Sequence, residues 1–169
     1  MNSANQSNSN EKSQSIGTRY LSFTLGQEDY AIPLLSVREV IAVPEITPIP
    51  FAPPHFVGIM NLRGQVISII DLRQKLGIKP KAGAETAVII CDLAPLCLGV
   101  VVDSINSVLS PNVDEVTEKP QIQSGKNIDY ITHVYRQGKK LTLFLDIRKI
   151  LDAGDHQAVS SVTQVKRAA

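Results

Sequence analysis

The stretch "NLRGQVISIIDLR", Asn61–Arg73, decides how this sequence folds. Arg63-Gly64 reads as the tip of a two-residue β-hairpin, because Gly tolerates the positive φ that such turns demand. Strand alternation then places Val57, Ile59, Asn61, Val66, Ser68 and Ile70 on one face. Phe56, Gly58, Met60, Leu62, Ile67 and Ile69 fall on the other. Both faces are largely apolar, whereas a small antiparallel sheet needs only one apolar face for its own core. The second face must be covered either by another part of this chain or by a different protein.

Working outward, the hairpin has a counterpart. "FVGIMNLRGQVISIIDLRQKL" (Phe56–Leu76) lies above "YITHVYRQGKKLTLFLDIRKIL" (Tyr130–Leu151), with Gly64 on Gly138, one extra Lys, and Asp71-Leu72-Arg73 on Asp146-Ile147-Arg148. Each copy is an apolar strand running into an Asp that can cap a short helix by accepting its free N–H groups. Gln74 stands where a capping-box side chain would reach back. Upstream, "YAIPLLSVREVI" (Tyr30–Ile41) can be laid over "LGVVVDSINSVL" (Leu98–Leu109), and each follows another strand across a turn, "YLSFTLG" and "TAVIICD". Pro-containing connections follow both, which excludes them from central strands. One architecture used twice, with short strands and frequent turns, predicts an all-β fold of small antiparallel barrels. The second hairpin is expected to alternate cleanly, with Leu141, Leu143 and Leu145 facing one way and Thr142 and Phe144 the other.

Composition narrows the function. Of 169 residues, 43% are hydrophobic and 20% charged, as in ordinary globular proteins. A net charge of +1 argues against phosphate-backbone binding, and 5% aromatics without Trp argue against a base-stacking platform. No apolar run approaches bilayer-spanning length, and the N-terminus has no signal-type core, so a cytoplasmic protein is expected. Residues 1–17, "MNSANQSNSNEKSQSIG", read as a disordered leader. In residues 153–169, Val159, Val162 and Val165 recur at helix-compatible spacing, so the tail is either loose or a docked terminal helix. Both ends are expected to be dispensable for folding.

Residues that could carry chemistry are few. Cys91 and Cys97 sit near-symmetrically about Ala94 and are expected to lie across from each other as reduced core thiols, since no histidine or second cysteine pair completes a zinc set. His55, His133 and His156 are scattered without a local Ser, Cys or carboxylate signature. No phosphate-cradling glycine loop or metalloprotease helix is present. The sequence points away from an enzyme.

The runs "FTLGQEDYAIPLLSVREVI", "GIMNLRGQVISIIDLR" and "LGVVVDSINSVL" resemble the CheW family of bacterial chemotaxis adaptors, over roughly Arg19 to Asp152. Similar domains occur in the kinase CheA and in CheV, but this chain has no room for a catalytic or receiver domain. The resemblance implies two small five-stranded β-barrel subdomains packed side by side, roughly 18–82 and 83–152, intertwined within one 18–152 domain. It implies no cofactor and no catalysis. It also implies partners: the regulatory domain of CheA and the cytoplasmic tips of methyl-accepting chemotaxis proteins, in arrays at the inner face of the membrane without insertion into it.

By the same resemblance, Val37, Glu39, Gly58, Asn61, Arg63, Gly99, Ile105 and Val108 would form a receptor-facing groove. For Val37, Ile105 and Val108 core packing competes with that role, and Gly58 and Gly99 are candidates for backbone geometry alone. In better-studied members the stretch matching Thr117–Ile122 supplies an Arg, a Glu and a Phe to a kinase ring contact. Here those positions are Thr117, Gln121 and Ile122, which leaves the contact weaker or carried by Glu118 and Lys119. Other readings are a scaffold in a pilus-type chemosensory pathway, a barrel-type nucleic-acid-binding module, and a hydrolase whose triad assembles only in space.

Overall fold

The structure is a computed structural model and describes residues 16–81, 85–121 and 128–165. Most of the leader, and Ile122, lie outside the described residues. In chain order the first half contributes β1 (Tyr20–Leu25), β2 (Glu28–Pro33), β3 (Val37–Ala42), β4 (Phe56–Leu62), β5 (Gln65–Asp71) and α1 (Leu72–Leu76). The second contributes β6 (Ala87–Leu93), β7 (Leu96–Val102), β8 (Ser104–Leu109), β9 (Val116–Glu118), β10 (Ile131–Gln137), β11 (Lys140–Leu145) and α2 (Ile147–Ile150). Helix α3 (Ala153–Val165) follows.

The strands form two barrel-like sheets, in the orders β8-β1-β2-β11-β10-β9 and β3-β6-β7-β5-β4. The boundary expected near residues 82 and 83 therefore does not separate the barrels. Each half lends its first hairpin, β1-β2 or β6-β7, to the sheet built from the other half's remaining strands. The exchange is sealed by two equivalent parallel pairings, β5 with β7 and β11 with β2. The first sheet has six strands because the short edge strand β9 is added to the expected five.

The first hairpin turns as the sequence requires. Leu62 pairs with Gln65, and both central residues have positive φ, 51° at Arg63 and 82° at Gly64. The second turns at Gly138-Lys139 between paired Gln137 and Lys140. Arg63 thus corresponds to Gly138 and Gly64 to Lys139, so the extra lysine of the sequence alignment is not needed. A register shift between Phe56 and Gly58 moves Phe56 to the face of its partner Ile70, opposite to the side expected from unbroken alternation.

The two apolar faces meet different parts of the same chain. Met60, Ile67 and Ile69 join Val88, Ile90 and Val101 in the core of their own barrel. Phe56 and Ile70 instead join a core shared by both sheets, with Leu21, Phe23 and Leu25 of β1, Leu98 and Val100 of β7, and Leu145 and Ile147. Each such fully buried aliphatic side chain is worth roughly 1.5–3 kcal/mol. The second hairpin is double-sided too, contrary to the expectation of one clean apolar face. Leu145 points into the shared core, while Phe144 packs with Ala31 and Tyr135, and Thr142 on that side is also buried.

Helix α3 lies across β5 and β7, with Val159 fully buried in the shared core. Its first turn is anchored by Asp155, whose carboxylate meets His55 Nε2 at 2.5 Å and Lys75 Nζ at 2.6 Å. Of the two readings of the tail this is the docked terminal helix, and Val159 in the core speaks against its dispensability. Cys91 and Cys97 are not across from each other. Cys91 pairs with Leu98 and Cys97 with Asp92, so a one-residue offset sends the two thiols to opposite faces.

Candidate functional site

Strands β3 and β4 are the two edges of the five-stranded sheet, so nothing in the ladder joins them. The hairpin tip does. Arg63 donates from both terminal nitrogens to Glu39 on β3, Nη1 to Oε1 at 2.6 Å and Nη2 to Oε2 at 2.9 Å. This fork-to-carboxylate geometry is the strongest form of such a pair. Asn61 Oδ1 accepts the Gly64 N–H at 2.8 Å and fixes the turn. Beside them Arg38 Nη1 reaches Gln65 Oε1 at 3.2 Å. The hydrogen bond from Arg63 holds the Glu39 carboxyl below its ordinary range, and Glu39 in turn raises Arg63. The Arg63 side chain is 73% exposed and Glu39 22%. The pair is therefore solvent-screened and adds little to stability, but it is open to another carboxylate.

The other residues assigned to the groove fall elsewhere. Gly58 is buried beneath the chain segment leading into β4, where Thr47 exchanges two backbone hydrogen bonds with Ile59, each 2.9 Å. A Cβ at Gly58, whose φ is 149°, would stand 2.2 Å from the Thr47 carbonyl oxygen. Gly99 is also interior, since a Cβ there would meet Ile69 and Val88 at 2.5 and 2.8 Å. Both are glycines because space forbids anything larger, and neither presents a surface. Val37 and Ile105 are half-buried against the shared core, and Val108 is exposed on the edge strand β8. Of the eight groove residues the structure brings Glu39, Asn61 and Arg63 together at one exposed corner. On the other sheet, Thr117 and Glu118 are exposed on edge strand β9 and Gln121 is exposed beyond it.

The "IIDLR" and "GVVVD" runs form a buried charge network rather than a surface. Asp71 caps α1 through the Arg73 and Gln74 N–H groups and also takes both Arg73 Nε and Nη2, at 2.9 and 2.8 Å. Arg73 Nη1 continues to Asp103 Oδ1 at 2.8 Å, and Asp103 Oδ2 accepts the N–H groups of Gly26 at 2.6 Å and Lys81 at 3.2 Å. Asp103 is completely buried. Burial alone would raise its carboxyl, but the bonds from Gly26, Arg73 and Lys81 outweigh that and hold it below the usual carboxylate value. Arg73 is raised, chiefly by its bond to Asp71. The network ties α1 to the β1-β2 turn and so to the other sheet.

Sequence reasoning missed Asp103 as a network centre, although an acid closing an apolar strand was a signal. It also missed Asp155 with His55, which no local pattern could reveal across 100 positions. Among the described residues no three His, Cys, Asp or Glu side chains gather to hold a metal ion, and no helix is long and apolar enough to cross a membrane.

Comparison with known proteins matches this arrangement. The family described as CheW-like domain matches residues 19–155. A chemotaxis protein CheW of Klebsiella aerogenes is 31% identical, over 89% of this chain and 92% of that protein. One of Treponema pallidum is also 31% identical, over 84% of this chain and 86% of its own length. In three dimensions the scaffolding protein TtCheW of Thermoanaerobacter tengcongensis superposes with a TM-score of 0.73 at 23% identity, covering 82% of this chain and 94% of that one.

Proposed function

This chain belongs to the CheW-like domain family, a family of non-enzymatic chemotaxis scaffolds, and from that premise we propose that it couples chemoreceptors to a histidine kinase. In this reading the cytoplasmic tips of methyl-accepting chemotaxis proteins dock at the corner built by Glu39, Asn61 and Arg63. The regulatory domain of CheA engages a separate face that includes Thr117, Glu118 and Gln121, so that receptor and kinase are held in one array ring. The observation that carries the proposal is the bidentate Arg63–Glu39 pair at the exposed gap between two sheet edges. A partner carboxylate can exchange with Glu39 there, while the backbone beneath is fixed by the hairpin and by Thr47.

Co-sedimentation with receptor cytoplasmic fragments and, separately, with the CheA regulatory domain tests it. The wild-type chain should bind both. Arg63→Glu should lose about 1–3 kcal/mol of receptor affinity through like-charge repulsion while keeping kinase binding and the fold. Unchanged receptor binding in this variant would remove the corner from the interface, and failure of the wild-type chain to bind either partner would end the proposal.

A further inference from the structure

The two halves treat equivalent arginines differently, and the difference leaves an open site. Arg73 and Arg148 occupy the same place in the repeat, each two residues after a helix-capping Asp. Each is directed at the first-hairpin turn of its own half. Arg73 reaches the Gly26 N–H through the buried carboxylate of Asp103. Arg148 reaches the other turn without an intermediary, donating from Nη2 to the Ala94 carbonyl at 2.9 Å. The residue equivalent to Asp103, with Tyr30–Ile41 laid over Leu98–Leu109, is Leu35. The 3-10 turn Leu34–Ser36 carries it outward to 95% exposure. Among the described residues, no carboxylate links Arg148 to its turn as Asp103 links Arg73 to Gly26. Instead, a cavity of about 370 Å³ opens beside Arg148, with Tyr20, Ser36, Thr132 and His133 on its walls. Asp146, also on the wall, has its carboxylate engaged by the Arg148 backbone N–H at 3.0 Å.

We propose that this cavity takes a carboxylate supplied by an acidic segment of a partner protein, which gives Arg148 the carboxylate partner that Asp103 gives Arg73. The charge is complementary, because the exposed Arg148 guanidinium on this wall bonds a carbonyl and, among the described residues, no carboxylate, while Pro33, Leu93 and Ile147 make the rest of the lining largely apolar. A protein segment suits the site better than a free anion because Leu35, next to the pocket residue Ser36, offers apolar surface to a side chain flanking the acid. The surface is distinct from the Glu39–Arg63 corner, and the inference does not depend on which partner docks there.

The test follows NMR signals of the full chain, isotopically labelled, during titration with N-acetyl-Leu-Glu-amide, N-acetyl-Leu-Gln-amide and acetate. The Glu dipeptide should give saturable shifts at the Arg148 side chain and at the Thr132 and His133 amides, leaving Arg73 unmoved. The Gln dipeptide should give none, and Arg148→Ala should weaken the response by about tenfold or more. Equal affinity for acetate and the Glu dipeptide would reduce the cavity to a small-anion site and overturn the protein-segment assignment. Absent shifts, shifts shared by the Gln dipeptide, or shifts that survive Arg148→Ala would overturn the site itself.

Discussion

Asp103→Asn should cost this protein about 2–4 kcal/mol of folding stability at neutral pH. The carboxylate accepts from Arg73 on one oxygen and from the Gly26 and Lys81 N–H groups on the other, in a site with no solvent exposure. An amide of the same shape keeps one acceptor and turns an NH2 group toward donors. One side of the network is left unpaired, and Arg73 keeps only Asp71. Hydrogen bonds to a charged group contribute roughly 1.5–3 kcal/mol each, and the retained oxygen recovers part of the loss. For a domain of this size that is about 5–15 °C in melting temperature. The chain has no Trp, so urea and thermal unfolding are followed by far-UV circular dichroism. The pH dependence gives a second check. Because the folded-state pKa of Asp103 is held below 3.8, its stabilisation is fully present above the ordinary carboxylate range. It disappears as pH falls through the folded value, so the gap between wild type and variant should close in acid. A loss below about 1 kcal/mol at pH 7, or a gap that stays constant into acid, would refute the network's role.

Asp71→Ala should cost about 3 kcal/mol by denaturant unfolding, more than a helix cap alone, because it also strips the fork from Arg73. Ser68→Ala should raise the unfolding free energy by about 1 kcal/mol in urea titration, since the Ser68 hydroxyl is buried without a hydrogen-bond partner among the described residues. Val159→Ala should lower stability by about 1–3 kcal/mol and increase hydrogen exchange in α3 first, because Val159 is the helix's one fully buried apolar side chain among the described residues.

What the sequence showed and what it hid divide along local and long-range physics. The Arg63-Gly64 turn, the Asp71 and Asp146 caps and the two-sidedness of the first hairpin were legible, because each depends on residues a few positions apart. The strand exchange was not. Periodicity reports which faces are apolar but not which strand they meet, so the repeat suggested two barrels split by sequence halves. The bulge beside Val57 and the offset of Cys91 against Cys97 are register effects, and a single step reverses a side chain's face. At the candidate site, Arg63 was readable as an exposed turn residue. Its pairing with Glu39 required β3 and β4 to be the two edges of one sheet. Gly58 and Gly99 read either as groove residues or as positions of backbone geometry, and the close approach of Thr47 and of Ile69 and Val88, which no sequence pattern shows, explains the missing side chains.

The most direct measurement of the central claim is receptor-dependent autophosphorylation of CheA, reconstituted from receptor cytoplasmic fragments and kinase with and without this protein. The adaptor account predicts that kinase activity rises with receptor only when the chain is present, and that Arg63→Glu, folded as the wild type, fails to support the rise. Receptor control of the kinase that is equal in the presence and absence of the chain would contradict it.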